Sequence, residues 1–91
     1  MKALYNNDEL IKALTEDLED ELEGIIEYDH LYNALKAHKM HKEAMVIESI
    51  ASNEYKHACA LWDMLKDLDV DLSDHEDIHT KWETVKTIFN I

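Results

Sequence analysis

Nothing in this chain interrupts a helix: across 91 residues there is no proline and a single glycine, Gly24. Proline is the residue that breaks a helix interior, and glycine is the next least favourable there. Leu, Ala, Glu, Lys and Met, all good helix formers, dominate what remains. An all-α fold is therefore expected. A chain this short buries only roughly 60% of its unfolded surface, so a lone monomer is marginal and self-association is expected. One domain over residues 1–91 suffices.

Helix limits follow from caps and polar interruptions. Asn7 is expected to cap a first helix over about 8–37, with Asp8 and Glu9 favourable in its first turn. The polar run Ala37-His38-Lys39-Met40-His41 marks a turn, and a second helix follows over about 41–67. After the linker at 68–72, Ser73-Asp74-His75-Glu76 has the form of a capping box and opens a third helix over about 74–90. That short helix carries Ile78, Trp82, Val85 and Phe89 on one face, so it should lie on something. Two long helices joined by a short turn form an antiparallel hairpin. Two helices cannot cover each other's apolar stripes, whereas four can, so the hairpin is expected to dimerise into a four-helix bundle.

The formal net charge of −12 argues against a nucleic-acid partner, which needs clustered Lys and Arg, and against an anionic membrane surface. Cations are the favoured small partners; the plainer alternative is an acidic coat that keeps copies apart. The lone cysteine, Cys59, allows no intrachain disulfide and no Cys-x-x-Cys knuckle. The opening residues hold no apolar signal core and no long apolar run follows, so a soluble cytoplasmic protein is expected.

Three polar residues sit among the apolar ones. The first helix repeats at helical spacing as Ile11, Leu14, Leu18, Glu21, Ile25, Tyr28, Tyr32, Leu35; the second as Met40, Ala44, Ile47, Ala51, Glu54, Ala58, Leu61, Leu65, Leu68. One row further round, Ile50, Glu54, His57, Leu61 and Met64 put His57 beside Glu54. Neither stripe holds a Lys or Arg to pair with the carboxylates, and an uncompensated ion that loses water costs several kcal/mol. A two-fold pairing would bring four carboxylates and two imidazoles into one core, a charge that two divalent cations neutralise. A Glu on each of two helices plus Glu-x-x-His on each of the other two is a known di-metal arrangement. The competing interpretation is a wet helix edge carrying an ordinary histidine, because Glu-x-x-His alone is common by chance.

These residues resemble a known family. Residues 21–28, Glu-Leu-Glu-Gly-Ile-Ile-Glu-Tyr, resemble the first metal-binding helix of rubrerythrin-like proteins in the ferritin-like superfamily. Residues 53–58, Asn-Glu-Tyr-Lys-His-Ala, resemble their Asn-Glu-x-x-His-Ala segment, and the 33-residue step from Glu21 to Glu54 is similar to the family spacing. The resemblance covers about residues 10–66. One helix pair per chain is most similar to the half-length encapsulated ferritins, whose site forms between two subunits. The resemblance implies Glu21 as the first-helix ligand, Glu54 as the bridging ligand, His57 as the imidazole ligand, and Tyr28 hydrogen-bonded near the metals. It implies a di-iron ferroxidase, two irons per dimer, that oxidises Fe(II) with O2 or peroxide. It further implies a homodimer or higher homo-oligomer, with an encapsulin shell as a candidate partner and compartment. Two features depart from the family: there is no four-cysteine rubredoxin-like region, and residues 87–91 do not clearly match a shell-targeting tail.

Two other functions use the same residues: a peroxidase fed by an external electron donor, and a non-enzymatic helical interaction protein with structural metal or none. Manganese or zinc could take the same ligands. Gly24 either clears space one turn from Glu21 or is tolerated drift. Glu23 and Glu27 lie off the seam, as an iron path or a solvated face. His38 with His41, and His75 with His79, offer two ligands each and are expected at the surface, because a closed zinc site needs four. Cys59 and the methionines are expected as core filler, and Trp62 and Trp82 as packing or interface residues.

Overall fold

The computed structural model describes residues 6–90; the opening residues 1–5 and the tail's last residue, Ile91, lie outside the described residues. The architecture is α1 (Asn7–Ala37), α2 (His41–Asp67), a 3-10 turn (Leu72–Asp74) and α3 (Glu76–Ile88), with no strand among the described residues. The fold is all-α: α1 and α2 pack antiparallel along their length, and the shorter α3 lies on the pair.

The helix ends show how local chemistry sets the limits. The N-cap of α1 is Asn6, not Asn7: its Oδ1 accepts the backbone N–H of Glu9 at 2.8 Å. The hairpin turn sits where the polar run places it. There the N–H of Met40 reaches back to the carbonyl of Leu35 at 2.9 Å and that of Lys39 to Lys36 at 3.0 Å, a Schellman closure. The same closure ends α2, with Val70 N–H on Leu65 and Asp69 N–H on Lys66, both at 3.0 Å. The residues that turn left-handed at the three helix ends are Lys39 (φ 60°), Asp69 (φ 62°) and Asn90 (φ 62°) rather than glycine.

The capping box at Ser73 does not form. Asp71 takes the backbone N–H of Ser73 at 3.0 Å and also its hydroxyl, which winds the segment into the 3-10 turn and tucks Leu72 inside. Helix α3 consequently starts at Glu76, with His75 as a cap that supplies no side-chain bond.

The line of contact between α1 and α2 is made by Leu18, Leu22 and Ile25 against Ala44, Ala51, Ala58 and Leu65, all buried. The alanines recur every seven residues and let the two helices approach closely. Leu22 stands outside the expected stripe, yet it is fully buried because α3 covers that extra flank. Leu72, Ile78 and Val85 complete the core from the α3 side. Aromatic rings bind α3 to α2: Trp62 stacks on Trp82 at 4.3 Å between centroids, and Tyr55 stacks on Phe89 at 4.7 Å. Lys81 ties α3 to α1 through Glu19 at 2.9 Å and Glu23 at 2.6 Å. Both tryptophans are thus packing residues, and Glu23 holds Lys81 rather than facing a cation path. The expectation that the methionines fill the core is not met: Met40, Met45 and Met64 are exposed, because the contact line runs through the neighbouring alanines instead. Cys59 is half-buried at the edge of the core.

Candidate metal centre

A helix turns about 100° per residue, so the face of the hairpin opposite α3 is readable from the contacts of α3 itself. With Glu19, Glu23, Tyr55 and Trp62 turned toward α3, positions 14 and 21 of α1 and 47, 54, 57, 61 and 64 of α2 turn toward the other side. No element among the described residues covers that side. Glu21, Glu54 and His57 meet there, about halfway along α1.

The geometry is close. His57 Nδ1 lies 3.8 Å from Glu21 Oε1 and 3.8 Å from Glu54 Oε1, and one donor atom from each residue falls within 4.8 Å of the others. Spacing explains the convergence: Glu54 and His57 stand three apart on α2, which makes them neighbours on one helix face. Glu21 reaches them from α1 because Leu18, Leu22 and Ile25 hold that helix against the α2 alanines. The three side chains are 25%, 29% and 59% exposed, so the carboxylates are half sunk and the imidazole stands at the mouth. They flank the contact line rather than lying on it.

Glu21 is the strained member. Its carboxyl is pushed up to about 7, first by burial, then by its contact with Glu54 and by the negative charge of Glu54, Asp17 and Asp20. Its Oε2 is buried and has no hydrogen-bond partner among the described residues. Such an orphan oxygen calls for a proton or a cation. A groove of about 520 Å³, lined by Asp17, Asp20, Glu21, His57, Leu61 and Met64, opens the trio to solvent. The acidic residues beside the site are therefore Asp17 and Asp20, while Glu23 and Glu27, off the seam, lie on the exposed surface.

The residues fit a divalent metal. Two donors on one ion with bonds of about 2.0–2.2 Å can stand no more than about 4.4 Å apart, and both 3.8 Å separations fall inside that limit. The set of two carboxylates and one imidazole is a hard, nitrogen-and-oxygen set of the kind that iron, manganese and zinc accept. Three donors from one chain leave coordination positions open. The other histidines assemble no comparable group among the described residues: His30, His38, His41 and His75 are exposed, and His79 meets only Glu83 at 3.9 Å.

Tyr28, expected beside the metals, stands two turns of α1 from Glu21. It lines a separate cleft of about 340 Å³ with Tyr32, Ser52 and Phe89. Tyr55 is the aromatic residue that sequence reasoning passed over. It is half-buried between α2 and α3 next to Glu54, and its hydroxyl is pushed up by desolvation and by its hydrogen bond with Cys59. Its four-residue spacing from Cys59 was the available signal.

No curated protein and no solved structure matches this chain. The family model described as Rubrerythrin matches residues 12–90. That stretch takes in Glu21, Glu54, His57 and also α3, which lay beyond the resemblance at residues 10–66. With nearly its whole length matched, this chain belongs to the rubrerythrin family, a ferritin-like family.

Proposed function

We propose that two copies of the chain pair across the face opposite α3 and that the centre they form is a di-iron ferroxidase, oxidising Fe(II) with O2 or peroxide. The observation that carries this reading is the orphaned Oε2 of Glu21, held in a trio of metal-type donors on a face that no described element covers. The family usually binds iron, which favours iron over manganese or zinc. Apolar residues around the trio support the pairing. Leu10 and Leu31 of α1, with Val46, Met64 and Leu68 of α2, are large, exposed and turned to the same side. Contiguous apolar surface rimmed by polar residues marks an interaction site.

Each part of the chain has a task in this reading. Glu21 and Glu54 take up Fe(II), the substrate, and their charge offsets the cation's; His57 supplies a neutral donor at the mouth. Asp17 and Asp20 raise the local concentration of cations at the groove. The iron supplies the redox chemistry when bound, and the chain sets its position and charge. A second copy would bring the count to four carboxylates and two imidazoles, balanced by two divalent ions.

Anaerobic loading with Fe(II) followed by air is expected to give a fast ferric absorbance at about two irons per dimer. A Glu54→Ala chain that oxidises iron as fast as the parent would sink the assignment. Comparing O2 with peroxide plus an electron donor separates the ferroxidase from the peroxidase alternative. An encapsulin shell and a cytoplasmic setting belong to the same proposal and are tested by co-purification with a shell protein.

A further inference from the structure

Gly24 has no explanation inside the chain that carries it. It sits in the middle of α1 with ordinary helical backbone, where a glycine weakens a helix relative to any residue with a side chain. A Cβ added there would meet no heavy atom within 4 Å, so neither packing nor backbone conformation within the hairpin asks for glycine. Its row does point to something outside. Leu10, Asp17, Gly24 and Leu31 recur every seven residues along the face opposite α3, one step beyond the row that holds Glu21. The leucines at the two ends are 37% and 50% exposed, and between them the surface falls to bare backbone one turn from Glu21.

We propose that Gly24 is the point of closest approach where a helix of a second copy of this chain crosses the face, and that residue 24 decides whether two copies can pair. The claim rests on the paired-site reading above and deepens it. The occupant is a second copy because the site is half built: three donors and an orphaned oxygen per chain find their complement in the same three donors of another. The dimensions agree. Helix α2 has 27 residues, roughly 40 Å, and two helices side by side are roughly 20 Å wide. The face then offers roughly 800 Å² per copy, the size of a standard specific interface. The separation of packed helices depends on the side chains at their crossing, and glycine permits the shortest. A side chain at 24 would hold the hairpins apart and pull Glu21 and Glu54 away from ions shared with the partner.

The test compares Gly24→Leu and Gly24→Ala with the parent chain, each with and without anaerobic Fe(II). Helicity and melting are read by circular dichroism, mass by sedimentation velocity, and bound iron by direct metal content. Gly24→Leu is expected to be as helical as the parent and to melt no lower as a single chain. Its dimerisation should weaken by about tenfold or more, and bound iron should fall with it. Gly24→Ala should move the same way by less. If Gly24→Leu dimerises and loads iron like the parent, the role given to Gly24 is wrong and the paired site stands. If Gly24→Leu loses helicity, the hairpin itself needs the glycine and the proposal is equally overturned. A parent chain that stays single with iron present removes the paired site, and this inference with it.

Discussion

The two sides of the α1–α2 hairpin make different demands. On one side α3 covers the groove with Ile78, Val85 and a ladder of stacked rings, and every fully buried large side chain among the described residues is held in or beside that cover. On the other side the same two helices leave leucines, a valine and a methionine half in water around Glu21, Glu54 and His57. The covered side accounts for how so short a chain holds together. The uncovered side carries costs that stability within one hairpin does not explain: a carboxyl pushed up to about 7, an orphaned oxygen and apolar surface left wet. Costs of this kind, gathered in one place, mark where function lies.

Equal truncations on the two sides should separate them most. Leu22→Ala, on the covered side, is expected to cost about 2–5 kcal/mol in urea unfolding, whereas Leu31→Ala, half exposed, should cost about 0.5 kcal/mol or less to a single hairpin. Similar losses from both would erase the contrast. The next effect is electrostatic. Because the carboxyl of Glu21 is raised from 4.5 to about 7, the folded metal-free chain holds a proton that the unfolded chain releases between those values. Stability should therefore fall as pH rises from about 4.5 to 7, by about 1–2 kcal/mol after allowance for the 25% exposure of the side chain. Glu21→Gln should flatten the slope, and divalent metal should reverse it with release of protons. A pH-independent metal-free chain would show that Glu21 carries no such burden.

Smaller effects test how α3 is held. Lys81→Met removes the tie to Glu19 and Glu23 and should cost about 1 kcal/mol or less, diminishing with salt, since such pairs are partly exposed. Smallest is Lys39→Gly in the hairpin turn. Lysine there holds a left-handed conformation that suits glycine, so the change should raise stability by about 0.5 kcal/mol. A loss instead would mean that the Lys39 side chain supports the turn.

The long helices and the turn between them were legible because nothing in the sequence breaks either helix and the polar run at 37–41 stands alone. The trio was legible because acidic residues at apolar-stripe positions with no basic partner are rare. The misses share one cause, competition that local pattern does not rank. Asn6 and Asn7 are equally good caps, and the hydrogen bond to Glu9 settles the choice. Ser73 reads as a cap, but Asp71 reaches its N–H first. Leu22 falls outside the stripe and the methionines outside the core because a stripe at 3–4 spacing does not reveal how far the apolar surface extends, and the placement of α3 sets that width. Tyr28 shares a row with Glu21, yet the end of α3 opens a cleft beside it, and its ring lines that cleft.

Helix α3 also has a consequence for growth. A bare hairpin with two adhesive flanks is a unit that can stack on itself without end, as repeats do when no terminal cap is present. By occupying one flank, α3 leaves the other flank of the hairpin as the exposed one among the described residues, and in the proposed pairing a unit with one such flank closes as a pair instead of extending into a filament. A chain cut before Glu76 should accordingly scatter light and pellet where the intact chain stays small and clear.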